Sequence, residues 1–176
     1  MATIGIFGIG NILFSDDGVG PSVVAHLVAG YDFPEEVIVE DMGTPDLSLV
    51  SRLLGYDAAI FIDAVTDDGP PGTVRRYDRD AILRNPPGLR ISPHDPSMQE
   101  TLMTWDLIGE GPKEIVLIGI VAGSTEGGSR LTENVRKAIP AAAEAALAEL
   151  ERLGAPAEAR RGPSRPHVWW EEGIAV

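Results

Sequence analysis

The fold is decided by residues 4–20, which read IGIFGIGNILFSDDGVG. An apolar run ends in glycines and leads into a loop that carries two adjacent acids, Asp16 and Asp17. Short apolar runs of this kind are typical of buried parallel strands. Open α/β sheets bind ligands beyond the carboxyl ends of their strands. A carboxylate pair in this loop therefore predicts a functional site.

The rest of the chain alternates apolar runs with amphipathic stretches, which favours an α/β fold with a twisted, mainly parallel sheet and helices on both faces. One strand is predicted to lie at an edge, because Arg75 and Arg76 would be costly in the middle of a sheet. The strands are predicted at residues 3–8, 36–40, 58–62, 72–77 and 115–121.

Helices are predicted between these strands. One begins near residue 19, and a short one contains residues 47–54. Another follows Asp95-Pro96, which resembles a helix cap with proline at the first helical position. The last begins at Thr132 and is predicted to be bent or split at Pro140. Composition changes at Gly154, so residues 1–153 are predicted to form one domain and residues 154–176 an irregular extension.

Composition excludes several classes of protein. The chain has 176 residues and a net charge of −13, which argues against nucleic-acid or anionic-membrane binding. It has no cysteine, so disulfides, thiolate metal ligands and cysteine catalysis are excluded. No leader pattern or run of about 20 apolar residues is visible in the sequence. We therefore expect a cytoplasmic protein, and we expect it to be a monomer.

Four candidate metal ligands lie at one rim of the predicted sheet, namely Asp16 and Asp17 after the first strand, Asp63 after the third and His94 before the Asp95-Pro96 cap. Two carboxylates and one imidazole suit a divalent metal such as nickel or zinc, with coordination positions left open. Each residue also has an ordinary interpretation. Asp16 or Asp17 could cap the following helix, and Asp63 and His94 could be loop residues without a ligand role. The metal hypothesis depends on their convergence.

A dinucleotide-binding fold is the main competing interpretation. Gly8-x-Gly10 after a strand is the opening of its fingerprint, and Glu40 or Asp41 could bind a ribose. However, Leu13 stands where the third glycine belongs, and two carboxylates in the loop would repel a pyrophosphate. A serine hydrolase is disfavoured, because the chain has no Gly-x-Ser-x-Gly elbow.

A longer set of motifs, taken together, resembles one known family. The motifs are Gly8-x-Gly10-Asn11-x-Leu13-x-x-Asp16-Asp17-x-x-Gly20, Asp41-x-Gly43-Thr44, Asp63-Ala64, Ser92-x-His94, Gly119, and Leu131-Thr132 followed by Pro140. In this order and spacing, over about residues 3–153, the chain resembles the nickel–iron hydrogenase maturation endopeptidases. The resemblance implies an enzyme that removes a C-terminal extension from a hydrogenase large-subunit precursor after nickel insertion.

The resemblance also implies roles for particular residues. Asp17, Asp63 and His94 would be the catalytic nickel ligands, with the nickel supplied by the precursor and other divalent ions able to occupy the site. The turn of Asp41, Gly43 and Thr44 would help to recognise the substrate. Asp16 would be auxiliary, either ordering the loop, capping a helix or acting as general base. A non-catalytic, nickel-dependent docking module for the same precursor is the alternative function.

Overall fold

The computed structural model describes residues 2–46, 48–86, 97–162 and 165–171. His94, Ser92 and the predicted Asp95-Pro96 cap lie outside the described residues. The strands are β1 (Ile4–Ile9), β2 (Tyr31–Asp32), β3 (Val37–Gly43), β4 (Ala58–Val65), β5 (Val74–Asp78), β6 (Glu114–Val121) and β7 (Glu158–Ala159). The helices are α1 (Val19–Gly30), α2 (Ser48–Arg52), α3 (Arg79–Arg84), α4 (Met98–Ile108) and α5 (Glu133–Arg152). A short 3-10 helix, Ser15–Gly18, precedes α1.

The central sheet has five strands in the order β3-β1-β4-β6-β5. The first four strands in that order run parallel, and β5 pairs antiparallel with β6 at one edge. This confirms the predicted α/β class and the edge position of the strand that carries Arg75 and Arg76. The chain leaves β1 toward β3 on one side of the sheet, and it leaves the adjacent β4 toward β5 and β6 on the other side. The carboxyl ends of β1 and β4 therefore flank a topological switch point, the usual ligand site of such sheets.

Both faces of the sheet are covered by apolar packing, which explains why its strands are apolar almost throughout. Successive residues of β1 point to opposite faces, so Ile6 joins one core and Phe7 the other. The first core packs against α1 and α5 and includes Val23, Leu27, Ile118 and Leu150. The second includes Leu53, Phe61, Ile82, Leu102 and Trp105.

Two glycines allow α1 to approach the sheet closely. A Cβ atom at Gly20 would come within 2.2 Å of the Ile9 carbonyl oxygen and 2.4 Å of the Ile62 carbonyl oxygen. A Cβ atom at Gly8 would meet the backbone of Gly20 at 2.6 Å. The first turn of α1 is therefore held directly against the ends of β1 and β4, beside the switch point.

The structure corrects two predicted element boundaries. The N-cap of α4 is Ser97, not Asp95, because Ser97 and Glu100 form a reciprocal capping box. The Ser97 amide donates to Glu100 Oε2 at 2.7 Å, and the Glu100 amide donates to Ser97 Oγ at 3.2 Å. Helix α5 is not split at Pro140, which lies on its exposed side within one continuous helix.

The described part of the C-terminal extension contains one short regular element, the two-residue strand β7. Strand β7 pairs antiparallel with β2. The Arg160 guanidinium reinforces this contact by donating to Asp32 Oδ1 at 2.7 Å. Further along, Arg136 lies 3.9 Å from Glu171. None of the helices in the described ranges has the length and apolar composition needed to cross a membrane.

Candidate active site

The loop after β1 fixes the position of Asp17. Gly10 adopts φ +135°, and a Cβ atom there would lie 1.8 Å from the Asp17 carbonyl oxygen, so only glycine fits. The amide of Asn11 donates to Asp17 Oδ2 at 2.5 Å, and the Asn11 side-chain oxygen accepts from the Leu13 amide at 3.0 Å. Asp17 is buried. A single residue, Asn11, thus orients both the carboxylate and the loop around it.

Asp63 lies within β4, facing the same region as Asp17. The strand extends three residues beyond the predicted end at residue 62, because residues 63–65 continue to pair with β6, with Asp63 opposite Gly119. Asp63 is partly exposed, yet its carboxyl group is surrounded closely enough that burial raises its pKa well above the usual value. The negative charge of Asp17 raises that pKa further, and the Ala64 amide opposes the shift. The two carboxylates are therefore close enough to repel each other, and a shared proton or cation would relieve that repulsion.

Asp16 occupies a different environment from Asp17, although the two are adjacent in sequence. Its side chain is fully buried and accepts four hydrogen bonds. Oδ2 accepts from the amides of Gly123 and Ser124 at 2.8 and 2.9 Å and from Thr132 Oγ1 at 2.9 Å. Oδ1 accepts from the Thr132 amide at 2.6 Å. The carboxylate thus joins the loop after β1 to the end of β6 and to the N-terminus of α5.

The turn of Asp41, Gly43 and Thr44 lies beside this loop. Asp41 Oδ1 accepts from the Gly43 amide at 2.8 Å, and the Gly10 amide donates to the Gly43 carbonyl oxygen at 2.8 Å. Gly43 has φ +58°, which closes the turn. The pairing of β1 with β3 shifts register at this point. Thr44 is exposed. The turn and the Asp17 loop thus share one edge of the sheet.

The structure brings together two of the three predicted metal ligands, Asp17 and Asp63, while His94 lies outside the described residues. In the described part of the chain, no group of three or more His, Cys, Asp or Glu residues is arranged to hold a metal ion. Asn11 was not predicted to be the partner of Asp17. The position of Asn11 directly after a glycine in the loop was the available signal, since asparagine commonly hydrogen-bonds nearby backbone.

The fold and this site define an α/β domain with a carboxylate pair at its switch point. A family model described as hydrogenase maturation protease (HycI) matches residues 21–149. The hydrogenase expression/formation protein HupD of Rhizobium leguminosarum bv. viciae is 34% identical over 156 residues, covering 88% of this chain and 77% of that protein. The hydrogenase 2 maturation protease of Escherichia coli (strain K12) is 33% identical over 153 residues, covering 85% and 91%.

Solved structures agree with these sequence relationships. The hydrogenase maturating endopeptidase HybD from E. coli superposes with a TM-score of 0.81 at 32% identity, covering 91% of this chain and 98% of that one. The chain belongs to the hydrogenase maturation protease family. It is accordingly an endopeptidase, as the resemblance of its motifs predicted.

Proposed function

We propose that this endopeptidase removes the C-terminal extension of a nickel–iron hydrogenase large-subunit precursor, and that it recognises nickel already inserted in that precursor. Asp17, Asp63 and His94 would bind the substrate's nickel. The observation that carries the proposal is the Asp17–Asp63 pair, two mutually repelling carboxylates held at the switch point of the sheet.

The donor set is suited to a divalent cation delivered by a partner. Carboxylate oxygens and imidazole nitrogen bind first-row divalent metals, and three protein ligands leave positions for groups on the substrate. Burial raises the pKa of Asp63 most and the negative charge of Asp17 raises it further, and a cation between the two carboxylates would offset the repulsion between them. The Asn11 amide orients the Asp17 carboxylate, which is the function of an outer-shell partner.

When the substrate's nickel is bound, it would polarise the scissile carbonyl group or activate a water molecule. Residues beside the metal site would contact the precursor or order the loop without taking part in the reaction. The exposed Thr44 and the turn closed by Asp41 and Gly43 would contact the precursor next to the Asp17 loop. The four donors on the Asp16 carboxylate occupy its acceptor positions, which supports a loop-ordering role over that of general base.

The proposal is tested with the nickel-loaded precursor and the Asp63→Asn variant. We expect precursor cleavage, followed by intact mass, to fall at least about 100-fold, because the amide is a poorer ligand of similar shape. Asp68→Asn, which alters an exposed acid in the connection between β4 and β5, is the matched control and should cleave normally. Undiminished cleavage by Asp63→Asn would refute the assignment of the site.

The wild-type protein separates the alternative functions in the same assay. A docking module would bind the precursor and leave its mass unchanged. A nucleotide-binding protein would bind NAD(P) or a flavin and would not respond to the nickel content of the precursor. Cleavage that occurs only with the nickel-loaded precursor would reject both alternatives.

A further inference from the structure

Two large apolar side chains project from the same loop that carries the carboxylates. Leu13 is 62% exposed and Phe14 is 36% exposed, although both lie within four residues of the buried Asp17. Exposed leucines are common when they occur singly on protein surfaces. Leu13 and Phe14 differ from such isolated residues, because hydrogen bonds on both sides of the loop connect their backbone to the candidate active site.

On one side, hydrogen bonds through Asn11 connect the backbone of this loop to Asp17. Asn11 accepts a hydrogen bond from the Leu13 amide and donates one to Asp17. The Asp17 amide in turn donates to the Phe14 carbonyl oxygen at 3.1 Å. The positions of the two exposed side chains are therefore fixed relative to the carboxylate.

On the other side, the loop is fixed to the connection between β6 and α5. The Gly128 amide donates to the Leu13 carbonyl oxygen at 2.8 Å, and the Ser15 amide donates to the Gly128 carbonyl oxygen at 2.7 Å. Ser15 has φ +47°, a conformation that residues other than glycine rarely adopt. The surrounding contacts maintain this backbone shape, as is common at functional sites.

The neighbouring glycines leave this surface open. A Cβ atom at Gly127 would meet nothing within 4 Å, and one at Gly128 would meet only Ser15 Oγ, at 3.2 Å. Neither glycine has a positive φ, so neither backbone conformation nor packing requires glycine at these positions. In residues 10–15 and 122–130 the exposed charged residues are Glu126 and Arg130, which have opposite signs, in a chain of net charge −13.

We propose that Leu13, Phe14, Gly127 and Gly128 form an apolar platform that binds an uncharged, apolar segment of the precursor next to the scissile bond. The inference rests on the proposed function, because its occupant is the same precursor. The exposed side chains would supply apolar contact area, and the glycines would let an extended chain approach the loop closely. The hydrogen bonds of Asn11 and Gly128 hold this platform at a fixed position relative to Asp17.

The first test compares the Leu13→Ser and Leu107→Ser variants. Leu107 is 87% exposed near the C-terminal end of α4, which precedes the start of β6 at Glu114, and serves as the matched control. With the nickel-loaded precursor, Leu13→Ser should raise KM about tenfold and leave kcat nearly unchanged, as loss of uniform substrate binding does. Leu107→Ser should leave both constants unchanged.

The second test adds bulk instead of removing it. Gly127→Val should fold normally, because a Cβ atom has open space there, but should weaken precursor binding. The control is Gly30→Val at the end of α1, where a Cβ atom also meets nothing within 4 Å. Urea unfolding of each variant checks that its stability is retained.

Precursor affinity is also measured in the Asp63→Asn background, so that binding is read without cleavage. Weaker binding after adding Leu13→Ser or Gly127→Val supports the platform. Wild-type cleavage with unchanged KM in both variants would overturn the platform alone. If the wild-type protein neither binds nor cleaves the precursor, the proposed function fails and the platform fails with it.

Discussion

Replacing Asp16 should destabilise the protein strongly and in a graded order. Asp16→Ala removes the acceptor of four hydrogen bonds and leaves three backbone amides and one hydroxyl without it. A hydrogen bond to a charged group contributes about 1.5–3 kcal/mol, and water entering the space recovers part of four such bonds. We therefore expect Asp16→Ala to lower the free energy of unfolding by about 4 kcal/mol.

Asp16→Asn should cost about half as much, roughly 2 kcal/mol. Its single side-chain oxygen can replace Oδ2, which accepts three of the four bonds. Its amide group would then face the Thr132 amide, placing a donor against a donor. The substitution also removes negative charge beside the N-terminus of α5.

The assay is equilibrium urea unfolding, with thermal unfolding as a second measurement. For a domain of this size, 4 kcal/mol corresponds to a fall in Tm of roughly 8–16 °C. Glu144→Ala, on the exposed side of α5, is the control and should stay within about 0.5 kcal/mol of wild type. Stability of Asp16→Ala within about 1 kcal/mol of wild type would refute the structural role of this carboxylate.

Two further substitutions test the loop and the packing of α5. Gly10→Ala should lower the free energy of unfolding in urea by about 3 kcal/mol or more, because its Cβ atom would collide with the Asp17 backbone. Gly43 has a positive φ but open space around it, so Gly43→Ala should lower it by about 1 kcal/mol. Equal losses in the two variants would contradict the predicted clash. Glu149→Gln should cost about 1–3 kcal/mol near neutral pH, because hydrogen bonds from Arg76 lower the pKa of the buried Glu149 below its usual 4.5. That stabilisation is present above pH 4.5 and is lost as pH falls through the lowered pKa, so wild type and variant should converge in acid; a pH-independent difference would contradict the ion-pair explanation.

Local patterns were sufficient to predict most of the fold. The five strands of the main sheet, its parallel character and the edge strand follow from apolar runs and from the two arginines of β5. The start of α4 was mispredicted where two local signals competed, and a split at Pro140 was overridden by tertiary packing. A capping box overrode the Asp-Pro pair, and packing on α1 and the sheet kept α5 continuous.

Long-range contacts explain what the sequence could not predict in the site. Placing Asp17 and Asp63 at one edge required only the strand order, and the raised pKa of Asp63 supports their proximity. The different environments of Asp16 and Asp17 depend on donors more than 100 positions away, to which no local pattern points. These assignments stay predictions: the ligand and catalytic roles of Asp17, Asp63 and His94, the recognition role of Asp41, Gly43 and Thr44, the nickel, the monomeric state and the cytoplasmic location.

The four bonds of Asp16 have a consequence for the order of events during synthesis. Its donors lie 107–116 positions further along the chain, so the loop after β1 cannot reach its final form until β6 and the start of α5 have emerged. Contacts of such long sequence separation form late, because loop closure costs entropy before the contact can stabilise it. A nascent or truncated chain that ends before Gly123 lacks all four donors, and one that ends before Thr132 lacks two of them. Proteolytic competence should therefore arise only after Thr132 has been synthesised, which would protect other proteins from a partly folded protease.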